Sequence, residues 1–297
     1  MSRELARVAD GFSFLECPRW HDGRLWLSDF YTHRVLTVDE QGAVETVVEV
    51  PQQPSGLGWL PDGRLLVVSM RDRTVLRREE SGELVVHADL SALATGHLND
   101  MVVDGAGRAY VGNFGFDLMA GEGVRDAALI RVDPDGSVAV AADGLLFPNG
   151  AAVLPDGTFV VAETFGRRIT AFTVGAGGAL LDRRTWASFG PPAEGPEITD
   201  FLAGGPGGPD GLCADAEGAV WVADALGNRV LRVREGAEVV EEVSTGDLGV
   251  FACMLGGEDR RTLYLCTAPS FAEHERRDTR EAVLLSCRVD VPGAGLP

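Results

Sequence analysis

Five short stretches of the chain place an oxygen-bearing side chain at one matched position. Glu16 stands in "LECPRWHDGRLWLSD", Ser55 in "PSGLGWLPDGRLLVVS", Asn99 in "LNDMVVDGAGRAYVGN", Asn149 in "PNGAAVLPDG" and Asp210 in "PDGLCADAEGAVWVAD". A sixth stretch, "VFACMLGGEDRRTLYLCT", puts the apolar pair Val250 and Phe251 there. Glu16 aligns within one residue because its hairpin is shorter. Asn, Asp and Ser in such places also serve as turn formers. That reading covers Ser55 easily and Glu16 badly, since Glu is a poor turn residue. If the stretches surround one axis, two carboxylates face each other there and need compensating charge. Every donor is an oxygen, with no His or Cys at the matched position. Such a set suits a hard divalent cation, Ca²⁺ first, with Mg²⁺ or Mn²⁺ as alternatives. Zn²⁺ tolerates carboxylates but more often recruits His or Cys.

The elements that must position these residues repeat along the chain. The second turn of each stretch holds Gly23, Gly63, Gly107, Gly157 or Gly218, and Arg261 in the divergent last copy, at spacings of 40, 44, 50, 61 and 43 residues. Each copy continues with further short alternating or β-branched runs bounded by Gly, Asp and Pro, which are strands and hairpins. Helical periodicity is almost absent. Four antiparallel strands recurring in this way predict an all-β fold, a six-bladed β-propeller forming one domain over residues 1–297. The last copy supplies three clear strands, so the N-terminal run Leu5 to Ala9 is expected to complete the last blade and close the ring. The matched positions then lie where each innermost strand begins, at one mouth of the central channel.

Taken together and in order, Glu16, Asn99-Asp100, Asn149 and Asp210 in these motifs resemble the senescence-marker-protein-30/gluconolactonase/luciferin-regenerating-enzyme family. The resemblance covers nearly the whole chain. It implies one divalent metal in the channel held by Glu16, Asn149 and Asp210. Asn99 would contact substrate or a water on the metal, and the activity would be lactone hydrolysis. Sugar-lactonase members carry Arg two residues before the third-motif Asn, whereas this chain has His97. The stretch "VVAETFGRRITAF", with Glu163 and Arg167, is also similar to strictosidine-synthase-like propellers, whose chemistry differs.

Opening a lactone requires carbonyl polarisation, a deprotonated water and stabilisation of an oxyanion. Asp210 is the candidate base, being a ligand with a second oxygen free. Asp100 is expected to point away from the channel and anchor a neighbouring strand. His97, near the mouth, serves substrate contact or loop packing. The insertion "GNFGFDLMAGEGVRDA" predicts a substrate wall of Asn113, Phe114, Phe116 and Met119, with Phe251 adding an apolar side. His97 beside these residues points to a substrate less polar than a free sugar lactone. Residues 181–208, rich in Gly and Pro, read as a lid, and 268–281 as a solvated loop over the same mouth.

The net charge of −19 argues against nucleic-acid or anionic-membrane partners. Five cysteines cannot all pair, and no secretory signal or membrane-length apolar run is visible, so a reduced, soluble, cytoplasmic protein is expected. The leading expectation is a metal-dependent hydrolase of a small-molecule lactone or related ester. The alternatives are a non-hydrolytic or phosphotriester-cleaving enzyme on the same site, or a metal-stabilised binding scaffold without turnover.

Overall fold

The computed structural model describes residues 3–191 and 197–295, which form six four-stranded antiparallel sheets arranged as a propeller. Blades one to five run in chain order from the channel outwards. Their innermost strands are Leu15–His21, Pro54–Trp59, Leu98–Val103, Pro148–Val153 and Pro209–Ala214. Blade six takes Gly249–Gly256, Thr262–Ala268 and Ala282–Arg288, and its outer place is filled by the N-terminal strand Ala6–Phe12. The predicted closure is therefore present, with the N-terminal strand beginning one residue later and ending three residues later than Leu5 to Ala9. The hairpin glycines Gly23, Gly63, Gly107, Gly157 and Gly218 all take φ between 74° and 88°, which an L side chain adopts only with strain.

Inner and middle strands are almost wholly buried, and the outer strands carry the exposed positions. Adjacent innermost strands approach so closely that some positions admit only glycine. A Cβ on Gly150 would stand 2.5 Å from the Leu212 backbone nitrogen in blade five, and one on Gly56 would stand 2.4 Å from that of Met101 in blade three. The wedge shape of each blade follows from this contrast between a tight inner and a broad outer edge.

One expectation is corrected here. The first part of the predicted lid is not a lid: Leu180–Ser188 is the outer strand of blade four, pairing with Arg168–Val174. Its sequence, LLDRRTWAS, lacks the β-branched alternation of the other outer strands. The remainder contains a short helix, α1 (Ile198–Ala203), while residues 192–196 lie outside the described residues. Within 268–281 a second short helix, α2 (Glu273–Arg276), forms, and its Arg276 is buried.

Candidate active site

In every blade the pairing of the innermost strand slips just where the candidate residues sit. The irregularities fall between Glu16 and Arg19, Pro54 and Leu57, Leu98 and Met101, Pro148 and Ala151, Pro209 and Leu212, and Val250 and Ala252. A bulge frees a residue from the ladder and re-aims its side chain. Glu16, Asn99, Asn149 and Asp210 all line one cavity as a result, and each is buried. Ser55, at the matched position of blade two, is instead spent on packing, its hydroxyl lying 3.4 Å from the Cys17 sulfur.

The floor of the cavity is acidic and incompletely satisfied. Burial, then the nearby Asp210 and Asp100 carboxylates, push Glu16 well above the usual carboxylate range. Burial and Asp100 push Asp210 the same way. One Asp210 oxygen, Oδ1, and the Asn99 amide Nδ2 are buried without a hydrogen-bond partner. Asn149 Nδ2 donates to Thr164 Oγ1 at 3.3 Å, and that hydroxyl donates to the Pro209 carbonyl at 2.8 Å. This relay fixes the Asn149 amide and ties blade four to blade five. Among the described residues no three or more His, Cys, Asp or Glu gather as a metal cage. What the floor offers is two carboxylates and two amides. An unpartnered carboxylate oxygen beside a second buried acid is chemistry that a hard divalent cation would satisfy.

Asp100 does not face the cavity. Its Oδ1 accepts from Arg19 Nη2 at 2.7 Å and from the Met101 backbone at 2.7 Å. Arg19 belongs to blade one and Asp100 to blade three, so the ion pair spans the channel beneath the floor. The five cysteines are free and buried. Cys17 lies on an innermost strand at φ 51°, directly after Glu16.

The walls are aromatic. Phe114, Phe147, Phe165 and Phe201 form a run of rings with successive centroids 4.4, 5.1 and 4.2 Å apart. Opposite, Phe14 packs on Phe251 at 4.8 Å and on Phe30 at 5.5 Å. His97 lines the same space, and burial lowers its pKa below the ordinary value of 6.5. Phe114, Met119 and Phe251 are thus where the sequence places them. Asn113 and Phe116 are not. Asn113 donates from Nδ2 to the Ala128 carbonyl at 2.7 Å and accepts from the Gly115 backbone at 3.0 Å, so its amide is used up shaping the loop. Phe116 is fully buried behind the wall, edge-on to Phe165.

Most of the wall escaped the sequence reading, although a signal exists. The connection from second to third strand returns to the mouth in all six blades, supplying Phe30 and Tyr31, Met70, Phe114, Phe165, Leu226 and Phe271. In three blades an acid closes the second strand and pairs with Arg five residues on. These are Asp29 with Arg34 at 3.6 Å, Glu163 with Arg168 at 2.7 Å, and Asp224 with Arg229 at 3.1 Å. Each acid also accepts backbone N–H groups just before its own innermost strand, at Phe14, Leu146 and Gly208 respectively. Glu163 is therefore a clamp on blade four. Arg167 is a latch: its guanidinium donates to the Phe201, Gly205 and Pro206 carbonyls at 2.6, 3.0 and 2.8 Å and lies over the Phe201 ring. It holds α1 across the cavity.

The SMP-30/Gluconolactonase/LRE-like region model matches residues 14–269. A 6-deoxy-6-sulfogluconolactonase of Pseudomonas putida is 26% identical over 95% of this chain and 93% of its own length. A pentonolactonase of Haloferax volcanii is 28% identical over 99% and 96%. Among solved structures, a calcium-binding regucalcin of Agrobacterium tumefaciens superposes with a TM-score of 0.80 at 19% identity, covering 100% of this chain and 97% of the other. A gluconolactonase of Xanthomonas campestris gives 0.73 at 22%, covering 98% and 90%. At these identities the structural likeness speaks for the fold.

Proposed function

We propose that this chain, which belongs to the SMP-30/gluconolactonase/LRE-like family, opens a lactone ring by hydrolysis with a divalent cation held on the channel axis. The observation that carries the reading is the pair of buried carboxylates, Glu16 and Asp210, on the floor of the cavity, with one Asp210 oxygen unpartnered. The lactonase relatives support the reaction class. Glu16, Asn149 and Asp210 would hold the ion, Ca²⁺ best matching an all-oxygen set, with Mg²⁺, Mn²⁺ or Zn²⁺ as alternatives. When bound, the cation supplies neutralisation of the two acids and polarisation of a carbonyl.

The remaining chemistry belongs to side chains of this chain. Asp210 Oδ1, the oxygen the structure leaves without a partner, takes a proton from the attacking water and returns it to the ring oxygen as the C–O bond of the lactone breaks. General-base help of this kind is worth about 10²–10⁴-fold. Asn99 Nδ2, also unpartnered, donates to the carbonyl oxygen as negative charge develops there. Because the amide is buried and built into a strand, it needs little reorganisation to do so. The aromatic walls exclude bulk water, which strengthens both interactions. Proton release over a panel of lactones, with chelator and then with added Ca²⁺, Mn²⁺ or Zn²⁺, tests the proposal. Metal-dependent turnover is the expected result. Failure to open any lactone under all conditions would refute it.

A further inference from the structure

The cavity has an acidic, polar floor and walls made mostly of aromatic and aliphatic side chains, with Gln53, His97 and Glu273 the main polar interruptions. About 850 Å³ of space lies between its walls, solvent at the open mouth included. Among the described residues no Arg or Lys lines it. All 26 basic residues of the chain are arginine, and two that neighbour the cavity are already engaged. Arg71 donates to Gln53 Oε1 and to Glu273, both at 2.8 Å, and Arg167 is spent on three carbonyls. Apart from a cation on the floor, which the two acids there already balance, a carboxylate, sulfonate or phosphate on the ligand would therefore find no free basic side chain among the described lining residues.

The mouth carries a second observation. Among the described residues, eight large apolar side chains are exposed, and six of them lie on the outer strands of the blades. The other two are Met119 and Leu202, and both line this cavity. They sit on separate insertions, one following the second strand of blade three and one on α1. The wall of packed rings runs from Phe114 to Phe201, one residue before Leu202. An apolar surface thus continues from the floor region to solvent.

Resting on the lactonase reading above, we propose that the substrate is an uncharged lactone bearing an alkyl or aryl substituent. Its ring meets Asp210 and Asn99, and its tail lies along the phenylalanine wall and leaves the pocket past Met119 and Leu202. This selects against free polyhydroxylated sugar lactones, whose hydroxyls would lose water and meet rings, and more strongly against their anionic derivatives.

The test uses unreactive δ-lactams with tails of increasing length, titrated calorimetrically into the full-length protein with chelator and with Ca²⁺, beside hydrolysis of the matching lactones and of gluconolactone. Affinity is expected to rise about fourfold per added methylene until the tail reaches solvent. Leu202→Glu and Met119→Glu should flatten that rise, whereas Val86→Glu, on an outer strand, should not. Affinity independent of tail length, or tighter binding of gluconolactam than of any alkyl lactam, overturns the proposal. If no lactone is opened but the lactam series keeps its slope, the hydrolase reading fails and the apolar ligand class stands. If gluconolactone is opened fastest and the slope is flat, the hydrolase reading stands and the ligand class fails.

Discussion

Asp210→Asn keeps an oxygen donor, removes one charge and removes the proton acceptor. If Asp210 only holds the cation, the variant should weaken metal affinity yet recover activity at high metal. If it also takes the proton, excess metal restores nothing, and kcat at saturating metal should fall by about 10²–10⁴-fold. We expect the second result. Asn149→Ala removes a ligand but keeps the Asp210 carboxylate, losing only a hydrogen bond that lowers its pKa, and should be at least partly rescued by metal. An Asp210→Asn enzyme within a few-fold of the parent at saturating metal would place the base elsewhere. The four floor residues were legible because residue type and repeat position coincide: Glu16, Asn99, Asn149 and Asp210 follow from aligning the copies. Asn113 and Phe116 were assigned to the wall because the loop returns to the mouth, but a sequence does not show that an amide is consumed by Ala128 and Gly115 within its own blade. The buried crossing of Arg19 to Asp100 was equally hidden, since it joins residues 81 apart on blades that are not neighbours. Removing one partner of such a pair leaves an uncompensated buried charge, so Asp100→Asn should cost about 3–5 kcal/mol in urea unfolding.

Connections between strands are held by acids whose charge matters. Burial alone would raise the Glu163 pKa, but Arg168, the Thr170 hydroxyl and the Leu146 N–H outweigh it, and the group lies below its ordinary 4.5. Folding therefore favours the ionised form. The stability it contributes is complete above about pH 4.5 and is lost as the pH falls through the lowered value in the fold. Glu163→Gln should cost about 1–3 kcal/mol at pH 7. Urea midpoints of both proteins between pH 7 and pH 3 should converge in acid, and a constant gap would assign the loss to packing instead. Arg167→Met tests the latch on α1 separately: amide exchange over 198–206 should quicken, while exchange in the blade-four strands stays slow. The clamp was partly written in the sequence, as an acid with Arg five residues on, whereas the latch, Arg167 on three backbone carbonyls, was not. The outer strand Leu180–Ser188 was not legible either, because five of its nine residues are charged or hydroxylated and it reads as a loop.

At the scale of the whole ring, stability depends on one strand brought from the other end of the chain. Ala6–Phe12 pairs with Ala282–Arg288 through five register positions, and Phe12 is buried against the core. Without it, blade six ends at Ala282–Arg288, whose Leu284 is fully buried and whose ladder edge would be open. Burying Phe12 alone is worth about 1.5–3 kcal/mol, and each ladder hydrogen bond adds about 0.5–1.5 kcal/mol. Deleting residues 1–12 should therefore remove about 5 kcal/mol, a large part of the 5–15 kcal/mol typical of a folded protein. The urea midpoint should fall accordingly. Because an unpaired edge templates pairing with another chain, the truncated protein should also associate with rising concentration, which sedimentation at several loadings would detect despite the net charge of −19. Adding back a peptide spanning residues 3–12 should reverse both effects, since the missing strand is short and its register is set by the edge it covers. A truncated protein with an unchanged midpoint and no association would mean that packing between blades six and one closes the ring unaided.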